Sequence, residues 1–199
     1  MTSLPIPQII LGSQSPRRKE IMSYFSLPFM QASPHYDEDA IPFPGDPIHF
    51  VNTLSKGKAD SLHPLYPNSI IITADTTVYR HGKNYGKPRN DVEAFAFLKE
   101  LAGNWHSVFT GLTVRYQNKE FQDVSETRVL FNPLSDKQIH AYYQKLPYTD
   151  KAGGYMIQQA GGIIVQKIDG CYYNVMGFPI NSLHKLLLNI DLDLWDYIQ

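Results

Sequence analysis

Two short stretches of the chain hold side chains whose types and spacing could do chemistry. The first is Gly12-Ser13-Gln14-Ser15-Pro16-Arg17-Arg18-Lys19. Ser15 suits an N-cap and Pro16 a first helical position, so a helix begins here. Such an end offers unpaired N–H groups and the positive pole of the helix dipole, where anions bind. Basic side chains at that end oppose the dipole, at a cost of about 0.3–1 kcal/mol each. An anionic ligand would explain Arg17, Arg18 and Lys19, and Ser13 and Ser15 would add hydroxyl donors. A capped surface helix with solvated arginines is the plainer alternative. The stretch is not a Walker loop, because the G-K-[ST] ending is absent.

The second stretch is SIIITAD, residues 69–75, an apolar run expected to be a buried strand with Asp75 at its C-terminal end. A carboxylate there can bind a metal or act as a general base, or it can simply cap a turn. Asp37-Glu38-Asp39 could supply a second Mg²⁺ ligand, or be a solvated acidic turn. Lys56, Lys58, Lys87 and Arg89 could add cations, although each alone is equally well a solvated side chain. Asp150-Lys151-Ala152-Gly153-Gly154-Tyr155 is a small-residue loop whose glycines would allow close backbone approach. The seven histidines show no H-x-H or H-E-x-x-H spacing. That argues against zinc and for a hard cation held by oxygen. Cys171 reads as a small packed residue.

The elements that must position these groups alternate between strand and helix, which points to an α/β architecture. The pattern predicts strands at 8–11, 69–74, 107–116, 124–131, 162–168 and 172–175, with a hairpin and loop over 81–89. It predicts helices from Ser15, over 48–62, from Asn90 to Leu101, over 135–145 and from Pro179 or Ile180 to Leu188. Asn90 with Glu93, and Ser135 with Gln138, read as capping boxes. Residues 28–47 read as a loop with one short strand in it, and 146–162 as a glycine-rich loop. No internal repeat, low-complexity tract or linker divides the chain.

The chain has 199 residues, with 18 Lys+Arg against 19 Asp+Glu, a net charge of -1. The 43% hydrophobic content supplies a sizeable core and argues against disorder. No basic excess marks a long nucleic acid or an anionic membrane as partner. A single cysteine cannot form an intrachain disulfide, which fits a reducing compartment. MTSLPIPQIILG lacks a basic segment, and no run approaches a membrane span, so a cytoplasmic location is expected.

Taken in order, SQSPRRKE, KAD, ITADT, GKP, FLKELAGNWHSVFTG, ETRVLF, DKAGGYMIQ and NVMGFPI resemble the Maf family of nucleoside-triphosphate pyrophosphatases. The resemblance spans about residues 8–188. It implies an elongated, two-lobed mixed α/β sheet flanked by helices around a central cleft, related to the inosine-triphosphate pyrophosphatases. Residues 1–199 would then be a single domain whose lobes are not independent. The resemblance further implies hydrolysis of dTTP and UTP to monophosphate and pyrophosphate, with Mg or Mn as divalent cation. Asp75 matches the family's catalytic aspartate. Arg17, Thr76 and Gln158 match its specificity positions and are of the dTTP/UTP type. Ser13, Ser15, Arg18, Lys58 and Lys87 would bind phosphate, and Glu38 with Asp75 would hold the metal. Met156, Gly154 and Thr77 depart from the usual family residues. A homodimer is compatible with this reading. The alternatives are an inosine-, xanthosine- or 7-methyl-GTP-type pyrophosphatase, or a non-catalytic nucleotide-binding regulator of division.

Overall fold

In the computed structural model the chain forms, in order, β1 (Ile9–Gly12), α1 (Pro16–Met22), β2 (Phe29–Ala32), α2 (Pro47–Leu62), β3 (Ile70–Arg80) and β4 (Lys83–Tyr85). There follow α3 (Asp91–Leu101), β5 (Trp105–Tyr116), β6 (Lys119–Phe131), α4 (Asp136–Lys145), β7 (Val165–Asp169), α5 (Tyr172–Val175) and α6 (Ile180–Leu187). The structure describes residues 6–199. Residues 1–5, part of the stretch expected to carry no targeting signal, lie outside that range. Among the described residues no helix is long and apolar enough to cross a membrane.

All seven strands join one mixed sheet in the order β2-β1-β3-β5-β6-β7, with β4 pairing β3. β1 lies parallel to β3 and stops at the pair Gly12↔Thr73. β5 covers the opposite edge of β3 without a break from Ile71 to Tyr79. β4 takes up the β1 side of β3 again only at Val78↔Tyr85. Residues 74–77 are therefore paired on one edge and open on the other.

That gap separates two hydrophobic cores. One gathers Ile9, Leu11, Ile72, Leu112, Phe178 and Leu183. The other gathers Val78, Tyr85, Leu98, Val108, Phe131 and Ile139. β3 and β5 run through both, so the two halves share a continuous antiparallel spine.

α2 lies across this spine. Asp46 caps it by accepting the Ile48 N–H at 2.9 Å, and Pro47 follows. Its buried face is Val51, Leu54, Ser55, Lys58, Ala59 and Leu62, a helical stripe with one lysine in it. The helix touches β5 at Gly111, where a Cβ would stand 2.7 Å from the Val51 backbone. No other residue permits that approach, and the approach brings Lys58 down onto the open edge of β3.

Several expectations need correction. Asp75 sits in the middle of an eleven-residue strand, not at its end. β5 carries the pairing past it, and the β4 hairpin takes the far end. Residues 172–175 form a helix rather than a strand, because the Met176 N–H bonds back to the Tyr172 carbonyl. The strand expected over 162–168 starts only at Val165, after a 3₁₀ turn over Gln159–Ile164. At α3, Asn90 does accept the Glu93 N–H at 2.9 Å. No reciprocal capping box closes, because the Glu93 carboxylate takes the N–H and guanidinium of Arg89 instead.

Candidate active site

The gap in β3 opens into a cleft of about 800 Å³ between the two cores. Its walls include Ser13, Ser15, Arg17, Arg18, Glu38, Lys58, Asp75, Thr76, Lys87 and Gln158, so each residue that the family resemblance assigns to the site borders it.

At its centre the Lys58 ammonium lies 2.6 Å from Asp75 Oδ1 and 3.1 Å from Glu38 Oε1. The Lys58 and Asp75 side chains are only 6% and 8% exposed. A second cation, Lys87, stands 3.7 Å from the other Glu38 oxygen and is largely open to solvent. This arrangement pushes the two carboxyls apart. Burial raises Asp75 above the ordinary carboxylate range, and the neighbouring charge of Glu38 adds to that rise against the pull of Lys58. Burial acts on Glu38 in the same sense, but Lys58, Lys87 and Arg18 together outweigh it and hold Glu38 low. At neutral pH Glu38 is an anion, and Asp75 is the better proton acceptor of the two.

The α1 end closes one side. Ser15 caps the helix, accepting the Arg18 N–H at 3.5 Å, and Ser13 Oγ accepts the Ser15 N–H at 3.1 Å. Arg18 turns inward. It donates from Nε to the Gly177 carbonyl at 2.8 Å and from Nη1 to the Ala74 carbonyl at 2.8 Å and Ser13 Oγ at 3.4 Å. From Nη2 it donates to Thr76 Oγ1 at 3.1 Å. A guanidinium has five N–H groups, so these bonds leave one, on Nη2, for an anion in the cleft. Arg18 therefore braces the cleft floor as well as charging it. Arg17 reaches the far half of the molecule, 2.8 Å from Asp150 Oδ2.

Not all the expected cations converge. Lys56 lies on the outer face of α2, 2.8 Å from Glu120 and 3.2 Å from Asp60. Lys19 is exposed on α1, outside the cleft wall.

The loop after α4 forms the opposite wall. Asp150 and Lys151 lie in it, and Lys151 is buried with its ammonium on Asp150. Neither was singled out as a site residue from sequence, although both bracket the small-residue loop noted there. Two tyrosines fix this loop. Tyr142 Oη accepts the Met156 N–H at 3.0 Å and donates to the Met156 carbonyl at 3.1 Å. Tyr155 Oη meets His106 Nε2 at 2.9 Å in the core. Burial lowers His106 to about 4, so its ring is neutral at physiological pH. Gln158 follows at the start of the 3₁₀ turn and makes no side-chain cap to it.

A site for a divalent cation can be tested against these donors. Among the described residues no group of three or more His, Cys, Asp or Glu side chains gathers as a metal cage. Glu38 and Asp75 nonetheless share one cation, Lys58, and offer hard oxygen donors. Mg²⁺ is commonly held by one or two carboxylates with substrate phosphates and water completing its shell. The pair fits that mode and no all-protein site.

Comparison with known proteins gives the family of the chain. A family model described as Maf-like protein matches residues 8–190. The chain is 43% identical over 193 residues to a protein of Chlamydia felis named dTTP/UTP pyrophosphatase, covering 96% of this chain and 98% of that protein. It is 41% identical over 188 residues to a protein of the same name from Clostridium perfringens, covering 93% and 98%. A solved dITP/XTP pyrophosphatase from Mycobacterium abscessus aligns over 92% of this chain and 94% of that one. The TM-score is 0.41 and the identity 10%.

Proposed function

The chain belongs to the Maf family, and on that premise we propose that it is a nucleotide pyrophosphatase that hydrolyses dTTP and UTP between the α and β phosphates, giving the monophosphate and pyrophosphate. The observation that carries this reading is the buried ammonium of Lys58 shared by Glu38 and Asp75 at the open edge of β3. That is a pair of carboxyls with opposed proton affinities beside a cleft rich in cations.

In this reading the triphosphate lies along the gap. Lys87, the remaining N–H of Arg18 and the hydroxyls of Ser13 and Ser15 meet its oxygens, while Lys58, whose three N–H groups go to Asp75, Glu38 and the Ala74 carbonyl, adds its charge from the cleft floor. These preorganised groups stabilise the charge that gathers on the leaving pyrophosphate. Asp75 takes a proton from the attacking water, a role its raised pKa suits. Lys58 holds the resulting charge arrangement together, because it bonds both carboxylates. Glu38 and Asp75 would hold the divalent cation, Mg²⁺ or Mn²⁺. When bound, that cation supplies Lewis-acid stabilisation to phosphoryl oxygens. Arg17, Thr76 and Gln158 contact the base. The Gln158 amide offers both a donor and an acceptor, which suits the imide edge of uracil or thymine. The two halves act as one unit, since both contribute walls to one cleft; the same reading places the protein in the cytoplasm.

The test is product identity. Incubation with dTTP or UTP and Mg²⁺ should release pyrophosphate and the nucleoside monophosphate. Release of orthophosphate would place the attack at the γ-phosphate and overturn the proposal. Preferential turnover of ITP, XTP or 7-methyl-GTP would reassign the base.

A further inference from the structure

We propose that Thr110 is a positioning residue that fixes the hydrogen-bond polarity of Thr76, making Thr76 an acceptor toward the base and favouring uracil and thymine over cytosine. The proposal rests on the pyrimidine-triphosphate reading above and goes beyond it by saying how one base is told from another.

Thr110 lies on β5, is fully buried, and has no access to a ligand. Its Oγ1 is 3.1 Å from the Asn174 carbonyl and 2.9 Å from Thr76 Oγ1. A carbonyl oxygen only accepts. Two oxygens at that distance with no proton between them would repel, so the single Thr110 proton points to Asn174. The short contact to Thr76 must then carry the Thr76 proton inward, to Thr110. On its other side Thr76 accepts from Arg18 Nη2 at 3.1 Å. A threonine hydroxyl has one proton and two lone pairs. The proton and one lone pair are thus consumed by protein, and what remains is one acceptor site.

The surroundings leave room for a ligand atom at that site. Thr76 is partly exposed and borders the cleft, as does Gly177 beside it. A Cβ at residue 177 would stand 3.0 Å from Thr76 Oγ1, and the backbone there has φ of +94°. Glycine therefore serves both the turn and the open space next to the hydroxyl.

An acceptor matches the N3–H of uracil and thymine. It meets the bare N3 lone pair of cytosine with repulsion. The second anchor of the chain is equally firm, since Asn174 is buried with its amide on the Val108 carbonyl and Thr127 Oγ1, both at 2.9 Å. The backbone carbonyl of Asn174, the one Thr110 meets, also takes the Gly177 N–H at 2.9 Å and is held in place by it.

The experiment compares kcat/KM for UTP and CTP in the wild type, Thr110→Val and Thr110→Ser. The wild type should prefer UTP by roughly five- to tenfold, the worth of about one hydrogen bond. Thr110→Val frees the Thr76 proton and should bring the ratio toward unity, and Thr110→Ser should restore it. A ratio unchanged in Thr110→Val, with only a lower melting temperature, would show that Thr110 merely packs and would overturn the proposal. Should Thr110→Val not fold, N3-methyl-UTP decides the matter with the wild-type protein. Its turnover should fall at least as far as that of CTP, and turnover equal to that of UTP overturns the proposal. Failure to hydrolyse UTP at all would instead overturn the pyrimidine assignment itself, which the wild-type arm detects separately.

Discussion

Lys56 and Lys58 stand two residues apart on α2, and each holds two carboxylates, yet the two clusters have little in common. Two residues turn an α-helix by about 200°, so the lysines face opposite ways. Lys56 is 45% exposed and joins Asp60, Glu120 and Arg115 in a surface network. Lys58 is 6% exposed and sits between Glu38 and Asp75. Hydrogen bonds to Glu120 hold the Lys56 pKa above its ordinary value, in a cluster that solvent screens. The buried cluster instead splits its two carboxyls, one up and one down. Each lysine holds one Asp and one Glu. Burial, together with the extra cations Lys87 and Arg18 on Glu38, turns one cluster into a device for moving a proton.

The comparison breaks most sharply at Asp75. Asp75→Asn should lower kcat by about 10²–10⁴-fold, the range for loss of a general base, while melting stays within a few degrees because Lys58 keeps Glu38. Activity assays beside thermal melting check this, and near-wild-type turnover would remove Asp75 from the mechanism. Lys58→Met comes next. It leaves two carboxylates without their shared cation and should cost about 3–5 kcal/mol of stability, the usual penalty for breaking a buried pair, and most of the activity. Urea unfolding curves measure it.

Glu38→Gln should shift the pH profile. Activity requires ionised Asp75, and the charge of Glu38 raises the Asp75 pKa. Removing that charge lowers it, so the acid limb of kcat/KM should move to lower pH. A limb that moves upward or stays fixed would show that Asp75 is not the group titrating. The smallest effect belongs to Lys56→Met, which should change stability by less than about 1 kcal/mol, as exposed pairs do, and leave turnover untouched. A large loss of activity there would erase the distinction between the two faces of α2.

Much of this was legible along the chain. Ser15, Asn90 and Ser135 sit at helix starts by their own chemistry, and Ser135 with Gln138 closes the one capping box among the described residues. The apolar stripe of α2 also held a clue that could have separated the lysines. Lys58 falls in register with Val51, Leu54, Ser55 and Leu62, and a lysine in a buried stripe asks for a partner. Ile48 runs the opposite way, being apolar yet 49% exposed at the first turn. Residues 172–175 read as a strand from their types. They are wound into a helical turn because Asn174 must reach Val108 and Thr127 at once.

The sequence by itself determined most of the helices and strands, their order, and the list of groups able to meet a triphosphate, because caps, periods and breakers act between near neighbours. Only the tertiary structure decided where the cleft lies, since it is a gap between the end of β1 and the start of β4 along the edge of β3. It also decided that Asp75 lies mid-strand, that Lys58 rather than Lys56 is the buried cation, and that the Thr76 proton points inward. Each of these depends on atoms brought together from 17 to 58 residues apart or more, across strands and helices whose pairing no local pattern records.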